Sequence, residues 1–150
     1  MAGLTEALEA HDRIGIDTAV FIYEIDGSAP YGDLADEALR ALARGAFEGL
    51  TSTVTLMELA VGPLRVGRAD LADRYELLLS NFPHLAILDL DRRSARRAAE
   101  LRATYRLRPA DALQVGTCLA QGGSAFLTND RDLRRVAEVQ VLVLDDFVSA

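Results

Sequence analysis

Hydrophobic and polar positions follow two rhythms along this chain. Short, nearly unbroken apolar runs occur at residues 13–19 (RIGIDTA), 49–55 (GLTSTVT), 85–90 (LAILDL), 124–129 (SAFLTN) and 139–147 (VQVLVLDDF), and each predicts a strand. Between them, apolar residues recur every three or four positions, which predicts helices over 18–25, 33–49, 55–62, 68–82, 91–107 and 109–123, and a short one over 131–137. The helix over 55–62 is expected to close at Gly62-Pro63, and that over 109–123 to carry Pro109 in its first turn and a Gly-Gly stop. Residues 28–33 (SAPYGD) read as a turn-rich loop. Strands alternating with helices predict an α/β fold, a parallel sheet with helices on both faces. Apolar strands such as VLVL (141–144) fit burial on both sides.

A chain of 150 residues predicts one domain over 1–150 with a sizeable core. Residues 1–12 read as a loosely attached extension, helical over 4–10. No apolar stretch approaches the ~20 residues of a membrane span. The N-terminus has mixed charge and no apolar h-region, so no signal peptide is expected. The single cysteine, Cys118, excludes an intrachain disulfide and fits a reducing cytoplasm. It falls in an apolar helical pattern and reads as core. Net charge is −7, against a protein that coats nucleic acid by bulk charge, though not against a local basic patch.

One residue breaks the apolar rule. Asp17 stands inside IGIDTAVFIY (14–23), where a carboxylate is costly to desolvate unless something pairs with it. Three more acids share its position relative to the elements. Glu58 is in the first turn of the helix after the second strand, Asp111 in the first turn of the helix opening at Pro109, and Asp130 directly after SAFLTN. In a parallel sheet the carboxyl ends of the strands share one edge, where ligands bind. Singly, each acid also reads as a helix cap: Asp17 as an N-cap, Thr55 to Glu58 as a capping box, Asp111 and Asp130 as first-turn or cap acids. Together they repel one another and raise one another's pKa unless a cation holds them. An all-oxygen acidic set suits Mg²⁺ or Mn²⁺. The two histidines, His11 and His84, are isolated and offer no zinc site.

The ordered set IDTAVFIY (Asp17), TSTVTLMELAVG (Glu58), RPADALQVGTCLA (Asp111) and FLTNDRDL (Asp130) resembles the PIN-domain ribonucleases, most closely the VapC-type toxins of bacterial toxin–antitoxin pairs. The resemblance spans residues 14 to about 133. It implies a PIN-like α/β fold with a parallel five-stranded sheet and helices on both faces. It implies a Mg²⁺- or Mn²⁺-dependent endoribonuclease, usually dimeric, silenced by a small VapB-type antitoxin. Asp17, Glu58 and Asp111 match the first three family acids and Asp130 the fourth, with Asp132 as a competitor. Thr128 matches a hydroxyl position near the metal. The chemistry implied is hydrolysis of an RNA phosphodiester by an activated water. Asp17 and Asp111 are the first candidates for direct ligands; Glu58 and Asp130 bind metal directly, through water, or act as base.

Thirteen of the sixteen arginines follow residue 60, and there is no lysine. Arg108, three residues before Asp111, is placed to reach a scissile phosphate. Arg65 and Arg68 are candidates for the same role or for receiving an antitoxin tail. Arg92, Arg93, Arg96 and Arg97 form either an RNA-binding face or a solvated one with pairs such as Arg96–Glu100. Phe21 and Phe47 read as core. Tyr23 and Tyr31 are candidates for a protein interface, and Tyr31 for stacking on a base.

Other strand-end chemistries fit less well. A haloacid-dehalogenase-like phosphatase wants a second Asp where Ala19 stands, and a response-regulator receiver wants an acidic pair and a lysine. No G-x-G-x-x-G follows the first strand, and no nucleophile elbow is present. The alternative of another class is a PIN-fold module that binds or scaffolds with little catalysis, since a shared fold does not prove activity. Retention of all four acids argues for the enzyme.

Overall fold

A computed structural model describes residues 2–149. Among these residues seven helices and five strands follow one another: α1 (Leu4–Glu9), β1 (Arg13–Ile16), α2 (Thr18–Asp26), α3 (Tyr31–Ala43), β2 (Glu48–Ser52), α4 (Thr53–Arg65), α5 (Ala69–Ser80), β3 (Leu85–Leu88), α6 (Arg92–Tyr105), α7 (Pro109–Ala120), β4 (Ala125–Thr128) and β5 (Gln140–Val143). Two short 3-10 helices, Arg131–Arg135 and Leu144–Phe147, flank β5. The five strands form one sheet in the order β3-β2-β1-β4-β5, every neighbouring pair parallel. The α/β fold read from the sequence is therefore the fold observed.

Side chains of successive strand residues point to opposite faces of a sheet, and here each face has its own core. Ile14 and Ile16 of β1, Ala125 and Leu127 of β4, and Leu142 of β5 pack into one core with α1, α2, α3, Leu59 of α4 and Leu79 of α5. Phe126 of β4 and Val141 of β5 point the other way, into a core built on α6 and α7. Gly15 faces that second side. A Cβ there would stand 2.7 Å from Cys118 Sγ and from the Phe126 ring, so glycine lets α7 lie close on the central strand.

Several element ends differ from the sequence reading, each for a local reason. The helix expected over 33–49 is α3, which starts earlier, at Tyr31, and stops at Ala43. Gly45 adopts φ 81°, and Ala46 N–H turns back to Ala41 O at 3.0 Å, the pattern of a left-handed helix stop. The helix expected over 55–62 is α4, which runs through Gly62-Pro63 to Arg65. Pro63 lies in its last turn, where its fixed φ is helical and only its missing N–H is lost. Left-handed Gly67 follows at φ 72°. The strand expected over 139–147 ends at Val143. There Leu144 turns into the core, Asp145 N–H donates to Asn129 Oδ1 at 2.9 Å, and Asp145 and Asp146 are held by Arg131 and Arg134.

The N-terminal extension is not loose. Leu4 and Leu8 are buried in the first core. The Glu37 carboxylate of α3 accepts from Thr5 N–H at 3.1 Å and from its hydroxyl at 2.8 Å.

Candidate active site

The chain leaves β1, builds β2 and β3 on one side, then returns to place β4 and β5 on the other. This makes the carboxyl end of the β1–β4 pair the switch point of the sheet, where diverging connections leave a crevice. Asp17 is the first residue past β1 and Thr128 the last of β4. Asp17 N–H continues the ladder by donating to Leu127 O at 2.9 Å. Its side chain is gripped twice: Oδ1 accepts from Thr18 N–H at 2.9 Å, capping α2, and Oδ2 accepts from the buried Thr128 hydroxyl at 2.7 Å.

The same Thr128 oxygen accepts from Asp130 N–H at 3.1 Å, so one hydroxyl ties two of the acids together. Asp130 in turn accepts from Asp132 N–H at 3.0 Å and caps the following 3-10 helix. Asp132 turns instead to Arg135, at 3.3 Å, and takes no part in the crevice lining. Asp130 does line it.

Glu58 does not form the capping box its sequence suggests. Ser52 is the N-cap of α4, accepting from Val54 N–H at 3.2 Å. Glu58 Oε1 accepts from the Thr18 hydroxyl at 2.7 Å. Behind Thr18 lies a buried polar chain. Gln114 Nε2 donates to Thr18 Oγ1 at 3.1 Å and to Thr55 Oγ1 at 2.7 Å, and Gln114 Oε1 accepts from Ser52 Oγ at 2.6 Å. Thr55 is also 2.8 Å from Thr51 Oγ1, which donates to Ile16 O at 3.1 Å. Asp111, in the first turn of α7, accepts from Arg108 Nε at 3.3 Å; the arginine side chain is 82% exposed and the carboxylate 21%.

These residues surround a cleft of about 500 Å³, lined by all four acids with Thr18, Ala19, Ile22, Tyr23, Arg108, Thr128 and Asn129. Burial pushes the Asp17 carboxyl up from 3.8 to about 6; the Thr128 and Thr18 hydrogen bonds pull it down, and the charges of Asp111 and Glu58 push it up. Among the described residues, no three acidic, histidine or cysteine side chains are gathered closely enough to enclose an ion by themselves. Mg²⁺ does not require that. It keeps several waters and takes one or two carboxylates plus substrate phosphates. The donors are all oxygen, and a bound cation would offset the repulsion that acts on Asp17. The residues therefore fit a hard divalent ion.

The sequence model of the PIN domain family matches residues 14–139. The chain belongs to the PIN domain family. Solved structures share the fold of this PIN domain. VapBC2 from Rickettsia felis, bound to a DNA fragment from its promoter, matches with TM-score 0.70 at 20% identity over 87% of this chain and 98% of that one. A toxin–antitoxin complex from Klebsiella pneumoniae matches with TM-score 0.68 at 22% identity, over 89% and 98%. DNA-bound VapBC from Salmonella typhimurium matches with TM-score 0.67 at 20% identity, over 89% and 98%. No curated protein matches the chain by sequence.

Other candidates of this PIN domain lie outside the cleft. Arg65 is in the last turn of α4, seven residues from Glu58, or ~10 Å along a helix. Arg68 pairs with Asp70 at 3.0 Å. On α6, Arg93 donates to Ala120 O at 2.9 Å, and the ion pair is Arg97–Glu100 at 3.4 Å, in place of the expected Arg96–Glu100. Phe21 and Phe47 are core. Tyr31 is not a free stacking platform: its ring is 5.1 Å from that of Tyr23 and its hydroxyl donates to Asp145 at 2.6 Å. Cys118 is buried, with its thiol pushed up to about 12 by burial, and is inert.

The sequence reading missed Thr18, Ser52, Gln114 and Asn129, and read Thr55 as a cap where it accepts from Gln114. A signal existed for Gln114, a lone amide on the apolar face of ADALQVGTCLA, and for the hydroxyl-rich run TSTVT.

Proposed function

We propose that this PIN domain is a Mg²⁺- or Mn²⁺-dependent endoribonuclease and the toxin of a toxin–antitoxin pair in the cytoplasm. The observation that carries this reading is the meeting of Asp17, Glu58, Asp111 and Asp130 on one cleft with Arg108 at its rim. Asp17 and Asp111 would hold the ion, with Asp130 beside them. When bound, the ion supplies charge to offset the phosphate oxygens and makes a water more acidic. The protein's own contribution is placement. Asp17 is fixed by Thr128 and by the α2 N-terminus. Glu58 accepts from Thr18 at Oε1, which leaves Oε2 to hold the ion, directly or through water, or to accept a proton from the attacking water. Arg108 is exposed at the rim, open to a phosphate oxygen while within reach of Asp111.

A protein partner belongs to the same proposal. Ile22 and Ile25 of α2, Met57 and Leu64 of α4, and Leu77 and Leu78 of α5 are all about half exposed or more, at 47–64%. A second copy of this chain and a small antitoxin are the partners proposed to cover them, in line with the toxin–antitoxin complexes formed by its structural relatives.

Cleavage of labelled total RNA by purified protein in Mg²⁺, Mn²⁺ or chelator, with Asp111→Asn alongside, tests this. Metal-dependent cutting that Asp111→Asn abolishes supports the nuclease. Absence of both cutting and divalent binding in the wild type would leave the binding or scaffold module.

A further inference from the structure

Gln114 does not line the cleft, yet its buried amide reaches the hydroxyl that holds Glu58. Gln114 is 4% exposed and Ser52, Thr55 and Thr18 are buried with it. The direction of each bond follows from the carboxylate, which can only accept. Thr18 therefore gives its one proton to Glu58 Oε1. Its oxygen must then accept, and two donors reach it, Gln114 Nε2 at 3.1 Å and the Thr55 hydroxyl at 2.9 Å. The amide nitrogen also donates to Thr55 at 2.7 Å, and on its other side Oε1 accepts the Ser52 hydroxyl proton at 2.6 Å. Ser52 Oγ in turn accepts from Val54 N–H at the start of α4. The chain Ser52, Gln114, Thr18, Glu58 is thus polarised in one sense, and its last link is the only hydrogen bond the Glu58 carboxylate makes among the described residues. Gln114 is also one turn along α7 from Asp111, so it joins the helix that carries one acid to the side chain of another.

We infer that Gln114 is a positioning residue, which acts through the Thr18 hydroxyl to aim Glu58 into the cleft and so sets the affinity of the acidic cluster for a divalent ion. The inference rests on the nuclease reading above. Partners that orient ligands from behind are worth ~10–100-fold in metal affinity or activity. Gln114→Leu keeps the volume and removes both amide groups. Gln114→Glu keeps the shape and the Ser52 bond but replaces the donor by an acceptor, which draws the Thr18 proton away from Glu58.

The test is Mn²⁺ binding by the full chain, followed by paramagnetic resonance and calorimetry, with RNA cleavage measured beside it. Both Gln114 variants, with a wild-type circular dichroism spectrum, are expected to raise the Mn²⁺ dissociation constant ~10–100-fold and to lower kcat with little change in KM. Thr18→Val is expected to do the same and Thr18→Ser to restore the wild-type values. Because one residue acts through the other, Thr18→Val/Gln114→Leu is expected to be no worse than either single change. Should Gln114→Leu not fold, the isosteric Gln114→Glu carries the test of this residue, with Thr18→Val against Thr18→Ser testing the link it acts through. Wild-type Mn²⁺ binding in folded Gln114 variants, or in Thr18→Val, overturns the inference, as do Thr18 and Gln114 effects that multiply. A wild-type chain that neither binds Mn²⁺ nor cuts RNA overturns the nuclease reading and this inference with it, which separates the two failures.

Discussion

The Thr128 hydroxyl lies 2.7 Å from Asp17 Oδ2, joining residues 111 positions apart at the tips of two neighbouring strands. The bond holds the carboxylate in its charged form against burial and against two other acids. Thr128→Val keeps the shape and removes the donor, leaving a buried carboxylate oxygen without its partner. Such a loss costs ~1–3 kcal/mol. Urea denaturation at pH 7.5 should show that decrease for Thr128→Val, while Thr128→Ser should stay near the wild type.

Asp17 also sets a slope of stability against pH. Its folded pKa, about 6, lies above the ordinary 3.8, so between those values the folded chain holds more protons than the unfolded one. Stability must then fall as pH rises through this window. Two pH units correspond to roughly 3 kcal/mol. Glu24, raised by burial and by Asp36, adds a slope of the same sign. Metal-free protein in chelator is therefore expected to melt higher near pH 5 than at pH 7.5. Asp17→Asn, which retains an N-cap, should flatten that dependence; an unchanged slope in this variant would assign it elsewhere.

α1 offers a test of packing. Leu8 is fully buried between α1 and the first core. Leu8→Ala is expected to destabilise the fold by ~2–5 kcal/mol, the range for a large apolar side chain removed from a core. Chemical denaturation measures it, and a change within error would mean that α1 is a detachable arm.

Arg108 should act on RNA through charge alone. Arg108→Ala is expected to weaken RNA binding across sequences and to lower the slope of log K against log salt by ~0.7, the value for one single-strand phosphate contact. Fluorescence anisotropy over a salt series, with Asp111→Asn as the non-cutting background, reads it directly.

The strands, their parallel arrangement and the four acids were legible in the sequence because they are written in short-range patterns. An apolar run, a helix start and an acid between them need only neighbouring residues to be recognised. What was not legible depends on partners far along the chain. No local pattern tells that Leu4 and Leu8 find α3, that Asp145 ends β5 by meeting Tyr31, Asn129 and Arg131, or that the Thr18 hydroxyl rather than a capping box receives Glu58. Pro63 misled for a different reason: a proline in the last turn of a helix looks, in sequence, like a proline just beyond it.

The placing of β4 beside β1 has a bearing on synthesis. A ribosome delivers Asp17 first and, 111 residues later, Thr128, the residue at the tip of the strand that completes its surroundings. Over that interval the emerging polypeptide holds the first acids with nothing to complete their cleft. The cleft is thus one that only a folded chain can present, never a nascent stretch carrying β1 alone.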